Sequence, residues 1–106
     1  MLTLPIKKKW FDMIKSGEKK EEYREIKPYY DSRFRKYDVR ADYYQILGKV
    51  IFRNGYSHNS PSIQCVCSIA YDYGKPEWGA EPKKIYYVLK ILSVEEIEWK
   101  NLKHYF

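Results

Sequence analysis

The run Ser62 to Tyr73 constrains the fold more than any other stretch of this chain. Ile63, Cys65, Cys67, Ile69 and Tyr71 alternate there with Gln64, Val66, Ser68 and Ala70. A period of two with one clearly apolar face is the pattern of a strand packed on a core, and this is the longest strand candidate. The next run, Ile85 to Val94, is apolar on both faces, with Lys90 its one charge, and predicts a central strand covered on both sides. Residues 74–84 between them carry two Pro and two Gly and read as a loop. Lys49 to Arg53 is a further strand, closed by the turn dipeptide Asn54-Gly55, and residues 54–61 form a polar loop.

The first half reads differently. Leu2 to Leu4 predict a short opening strand, closed by Pro5. Ile6, Trp10, Met13 and Ile14 fall at i, i+4, i+7 and i+8, with Phe11 widening the stripe, so residues 6–16 predict an amphipathic helix with Trp10 as a core anchor. Gly17 fits the left-handed position that closes it. Lys20 to Ile26 predict a strand with Lys20, Glu22, Arg24 and Ile26 on one face and Glu21, Tyr23 and Glu25 on the other, neither cleanly apolar. Pro28 opens a second helix, to about Lys36. Residues 37–48 are ambiguous, with a helical turn or two over Asp42 to Leu47 ended by Gly48. Glu95 to Phe106 read as a final short strand or as a tail that packs Trp99 and Phe106. The sum is an α+β chain, mainly β: a small curled sheet or barrel of about five or six strands with two or three short helices.

Composition narrows what such a domain does. The length of 106 residues predicts one domain, and 44% hydrophobic residues argue against disorder. The formal charge of +6 is unevenly placed: residues 1–53 hold 14 Lys/Arg against 8 Asp/Glu, while residues 54–106 hold 6 of each. A basic half points to a polyanionic partner such as nucleic acid, although surface charge also serves solubility alone. Aromatics reach 18%, including twelve Tyr, which suits a β-rich core or a surface that stacks on flat ligands. Cys65 and Cys67 share one strand face, a poor geometry for a mutual disulfide. They predict reduced, buried thiols in a cytoplasmic protein, without metal even if His58 lay nearby. Met1 to Ile6 is apolar but far too short to span a membrane. No membrane partner and no cofactor are expected, and a monomer is favoured.

The chemistry concentrates in Gly17-Glu18-Lys19-Lys20-Glu21-Glu22-Tyr23-Arg24. Lys19, Glu22 and Arg24 form a positive–negative–positive set in six residues. One reading is a salt-bridge network tying the helix–strand junction together. The other is a polar cleft in which Arg24 and Lys19 meet a phosphate and Glu22 accepts from a base amino group. Tyr56 and Trp78, on the two Gly/Pro-rich loops, are either plugs of a barrel end or stacking platforms for unpaired bases. No nucleophile elbow, zinc signature, P-loop or dinucleotide fingerprint occurs.

The octapeptide fits G-x-K-x-x-E-x-R at Gly17, Lys19, Glu22 and Arg24, and so resembles the signature of the activating signal cointegrator homology (ASCH) domain. The preceding amphipathic helix is similar to that family too, as are Asn54-Gly55-Tyr56 and Trp78-Gly79 to one of its subgroups, so the resemblance runs from residue 2 to about residue 95. It implies a PUA-like β-barrel, with the motif residues in a cleft that serves RNA or modified nucleosides. A binding module for RNA or a nucleotide-like ligand, through Lys19, Glu22, Arg24, Tyr56 and Trp78, is therefore the leading expectation. The alternative is a small enzyme using Lys19 and Glu22 as catalytic residues, since one branch resembles an amidohydrolase of acetylcytidine and another is thought to cleave RNA. That amidohydrolase branch carries Thr where this chain has Glu22. A carboxylate there favours the charged ammonium of Lys19, the wrong state for a base.

Overall fold

The computed structural model describes residues 1–97. Strands β1 (Leu2–Pro5), β2 (Glu21–Arg24), β3 (Gln45–Arg53), β4 (Ser62–Tyr73) and β5 (Ile85–Ile97) form one sheet in the order β1-β3-β4-β5-β2. Helices α1 (Lys8–Ser16) and α2 (Pro28–Phe34) flank it, and a single 3-10 turn, Pro76–Trp78, interrupts the loop before β5. The protein is thus α+β and mainly β, its sheet curled into a half-barrel. The long strands β3, β4 and β5 are antiparallel neighbours, β1 runs parallel to β3, and β2 runs antiparallel to β5. The two edges are therefore β1 and β2, which pair with other strands and not with each other.

The alternation of β4 does what its period dictates. Ile63, Cys65, Cys67 and Ile69 enter one core with Leu4, Phe11, Ile14, Phe34, Val50, Phe52 and Leu89. Fully burying a side chain of this size contributes roughly 1.5–3 kcal/mol. Exposed pairs such as Lys8–Asp12 contribute ~0–1 kcal/mol, so the core decides the fold. From Cys67 to Ala70 every residue is buried, because a second, smaller cluster of Ala80, Tyr86 and Val88 covers the other face, with Tyr23 and Tyr44 packed against it. Tyr86 to Leu89 are accordingly buried on both faces, but the two-sided burial predicted for Ile85 to Val94 fails at both ends of that run, where Ile85, Leu92 and Val94 are exposed because the second cluster does not extend over them.

Cys65 and Cys67 are unbonded thiols within the main core. Burial pushes the Cys65 thiol up to about 12 and the Cys67 thiol higher still. Among the described residues no three His, Cys, Asp or Glu side chains gather into a set able to hold a metal ion. No helix among them is long and apolar enough to cross a membrane.

Several boundaries differ from the sequence expectation. Asp42 to Leu47 are not helical: β3 already begins at Gln45, opposite Ile69. Gly48, expected to end a helical turn, is left-handed (φ +100°) but lies in a β-bulge between Ile46 and Gly48. A left-handed glycine closes a helix or makes a bulge equally well, and only the pairing with β4 distinguishes them. The motif strand is confined to Glu21–Arg24, and α2 ends at Phe34. β5 continues to Ile97 because β4 supplies partners as far as Ser62, which lies opposite Ile97. The expected packing of Trp99 and Phe106 falls outside the described residues.

Candidate functional site

The motif is assembled by the end of α1. Gly17 takes φ +85° and its N–H caps the carbonyl of Ile14 at 3.1 Å. The chain then folds back, and the Lys19 N–H bonds the Met13 carbonyl at 2.9 Å. This turn carries the Lys19 side chain inward, where the residue is only 1% exposed. Its Nζ lies 4.5 Å from the Trp10 ring centre and 4.9 Å from that of Tyr23. It donates to the Trp78 carbonyl at 2.5 Å and sits 3.1 Å from Glu22 Oε1.

Glu22 and Arg24, two apart on β2, share the inward face. Arg24 Nη2 donates to Glu22 Oε2 at 2.8 Å and to the Pro5 carbonyl at 2.9 Å, while Nη1 reaches the Tyr30 hydroxyl at 3.3 Å. Arg24 Nε is buried with no hydrogen-bond partner among the described residues. One carboxylate thus serves two buried cations. Burial lowers the pKa of Lys19, and Glu22 opposes that shift through its charge and hydrogen bond. With Lys19 and Arg24 both in their charged forms, the set carries one positive charge that its own carboxylate does not balance.

Above this set lies a cleft of about 700 Å³. Glu22 and Arg24 line it, and Trp10, Tyr30, Trp78, Tyr23, Tyr86 and Tyr56 supply aromatic walls and rim. Lys7, Lys27 and Asn54 border it as well, as do the carboxylates Glu25 and Glu81, so the surplus positive charge lies at its base and not around its rim. The Asn54 amide donates to the Ile6 carbonyl at 3.0 Å, which anchors loop 54–61 beside the start of α1. Loop 74–84 is anchored from the other side, because the Lys75 N–H donates to the Tyr23 hydroxyl at 2.9 Å. That hydroxyl in turn donates to Glu21 Oε1 at 2.8 Å, and burial raises the Tyr23 phenol well above its ordinary range. Trp78 is half-buried, with the Lys75 ammonium 4.7 Å from its ring centre, and Tyr56 is 94% exposed on the rim.

Of the five residues picked out in the sequence, the cleft brings together Glu22, Arg24, Tyr56 and Trp78. Lys19 does not line it: its side chain is enclosed behind Glu22 and the Trp78 backbone. Sequence reasoning missed Trp10, Tyr30 and Lys27 as cleft residues. Trp10 is packed against the main core, as its place on the helix stripe implies, and faces the cleft as well. The glycine after Trp78 was its one signal: a Cβ on Gly79 would come within 2.9 Å of Trp10 Cζ2. Tyr30 and Lys27 left no local signal, because α2 reaches the cleft through tertiary packing. His58 is exposed on loop 54–61 and does not line the cleft.

Comparison with known proteins gives no match: no family model fits the chain, and no curated protein or solved structure matches it.

Proposed function

We propose that this cleft binds an unpaired nucleotide, as part of an RNA or as a modified nucleoside, and that the chain is an ASCH-type, PUA-like binding module. One observation carries the reading: two buried cations share one carboxylate at the base of a cleft walled by aromatic rings. Surplus positive charge in a poorly solvated site favours an anion such as a phosphate. Flat aromatic walls suit a base, and Tyr56 supports this further, since a nearly bare ring at the rim contributes little to the core. The G-x-K-x-x-E-x-R resemblance points the same way.

The test is the affinity of the protein for nucleotides and short single-stranded RNAs, with melting temperatures alongside. Tyr56→Ala and Trp78→Ala should each remove ~1–3 kcal/mol of stacking, roughly a 5- to 150-fold loss. Tyr56→Ala should do so at unchanged melting temperature. Wild-type affinity in both variants would sink the reading.

An enzyme acting through Lys19 and Glu22 draws on a different observation, the lowered pKa of Lys19, which moves it toward the neutral amine that a base requires. Its enclosure stands against this, because loop 74–84 must shift before a substrate reaches Nζ. Turnover of acylated cytidines or of single-stranded RNA, abolished in Lys19→Ala, would replace the binding reading with this one.

A further inference from the structure

A second concavity of about 480 Å³ lies toward the C-terminal end of α2, and Arg33, Lys36 and Lys49 line it with Tyr37, Met1, Leu2 and Leu47. It has no acidic lining residue. All three cations are exposed, and among the described residues none of them pairs with a carboxylate. Some exposed cations elsewhere do find such partners, Lys8 with Asp12 and Arg40 with Asp38, while others such as Lys20 and Lys83 pair with no carboxylate among the described residues, so what sets the groove apart is that three such cations line one concavity. Arg33 is also held in place, its Nη2 donating to the Tyr29 hydroxyl at 2.7 Å.

The groove and the cleft share no lining residue, but two elements run from one to the other. Along β1, Leu2 borders the groove and Pro5 borders the cleft, a separation of roughly 10 Å at strand spacing. Along α2 and its flanks, Lys27 and Tyr30 border the cleft while Arg33 and Lys36 border the groove. Within α2, Tyr30 and Arg33 are neighbours at a spacing of three, so the row passes from cleft to groove between them.

Resting on the nucleotide reading of the cleft, we propose that the groove of Arg33, Lys36 and Lys49 holds the phosphodiester backbone of a single-stranded RNA, one of whose nucleotides occupies the cleft. The ligand is then a polymer, because the lone phosphate of a mononucleotide seated in the cleft does not also lie in the groove, which shares no lining residue with it. Each cation acts as a phosphate contact, adding affinity without reading sequence.

The test uses the whole chain and two probes: a nucleoside 5′-monophosphate, and a single-stranded RNA of about eight nucleotides, within the ~4–16 nucleotide range of small β-barrel binders. The triple variant Arg33→Ala/Lys36→Ala/Lys49→Ala alters exposed side chains only. It should lose oligonucleotide affinity, and the slope of log affinity against log salt should flatten by about 2, from ~0.7 per single-strand phosphate contact. Its affinity for the monophosphate should match wild type. An unchanged oligonucleotide slope overturns the groove, as does a wild-type protein that holds the oligonucleotide no tighter than the monophosphate. Tyr56→Ala separates the two claims: if it leaves monophosphate binding intact while the triple variant loses its slope, the cleft reading fails and the groove stands. Vesicles of anionic and zwitterionic phospholipid provide the third arm. Binding to the anionic vesicles as tight as to RNA, and lost in the same triple variant, would mark a general anion surface and overturn the RNA assignment.

Discussion

Arg24 Nη2 lies 2.9 Å from the carbonyl oxygen of Pro5, and this contact joins the two edge strands of the half-barrel. β1 and β2 share no ladder, so a side chain does at the cleft end what backbone pairing does elsewhere in the sheet. The same nitrogen binds Glu22, which in turn holds Lys19. The network anticipated as a tie for the helix–strand junction therefore reaches further, to the opposite edge of the sheet.

A lysine at position 24 keeps the charge but offers no planar fork, and cannot serve Glu22, Pro5 and Tyr30 together. Arg24→Lys should lower the melting temperature nearly as much as Arg24→Ala. For the alanine variant the loss should approach the ~3–5 kcal/mol typical of breaking a buried pair. Chemical denaturation of both variants checks this, and a lysine variant as stable as wild type would remove the role assigned to the fork.

Glu22 stands between two cations, and its neutral isostere removes the charge that holds them together. Glu22→Gln should lower stability and ligand affinity in parallel, because Lys19 and Arg24 then repel across a poorly solvated gap. Thermal melts and binding titrations on the same samples test it. A changed nucleotide preference at wild-type stability would show instead that Glu22 reads a base edge.

Gly79 and Gly48 provide a matched pair. Both are left-handed, at φ +101° and +100°, so alanine meets the same backbone penalty of roughly 1–2 kcal/mol at either position. At Gly48 nothing lies within 4 Å of the added methyl, whereas at Gly79 it meets Trp10 Cζ2 at 2.9 Å. Gly79→Ala should therefore displace the Trp10 ring and weaken ligand binding, while Gly48→Ala loses stability alone. Tryptophan fluorescence and affinity distinguish the two, and equal behaviour would show that Trp10 yields without consequence.

How much of this was legible varies with the range of the interactions involved. The end of α1 at Gly17, the inward face shared by Glu22 and Arg24, and the two-sided burial of Tyr86 to Leu89 all follow from local spacing. The strand over Gln45 to Gly48 did not, since its pairing with β4 overrides an ambiguous local pattern. For the site, the sequence brought Lys19 near Glu22 but could not reveal that the Trp78 carbonyl, 59 residues away, encloses the ammonium. Nor could it reveal that Pro5 and Tyr30 complete the Arg24 contacts, because both arrive through the curvature of the sheet and the docking of α2.

The buried thiols predict an alkaline weakness. Cys65 is raised from 9.0 to about 12, and Cys67 further, both by burial. Below about pH 9 the thiols are protonated in folded and unfolded chains alike and favour neither. Above it the unfolded chain releases two protons that the folded chain retains, so stability falls by about 1.4 kcal/mol per pH unit for each thiol. For Cys65 the fall continues until its folded value near 12 is reached. Removing both thiols in Cys65→Ala/Cys67→Ala should cost some packing at neutral pH and abolish this component. The difference in unfolding free energy between wild type and the double variant should therefore shift by about 3 kcal/mol, toward the variant, from about pH 8 to about pH 10. Lysines and tyrosines of the unfolded chain also lose protons as pH rises, and comparing the two proteins cancels them as long as their surroundings are unaltered. Urea unfolding at both pH values measures the shift, and a difference independent of pH would mean that solvent reaches the thiols in the folded protein.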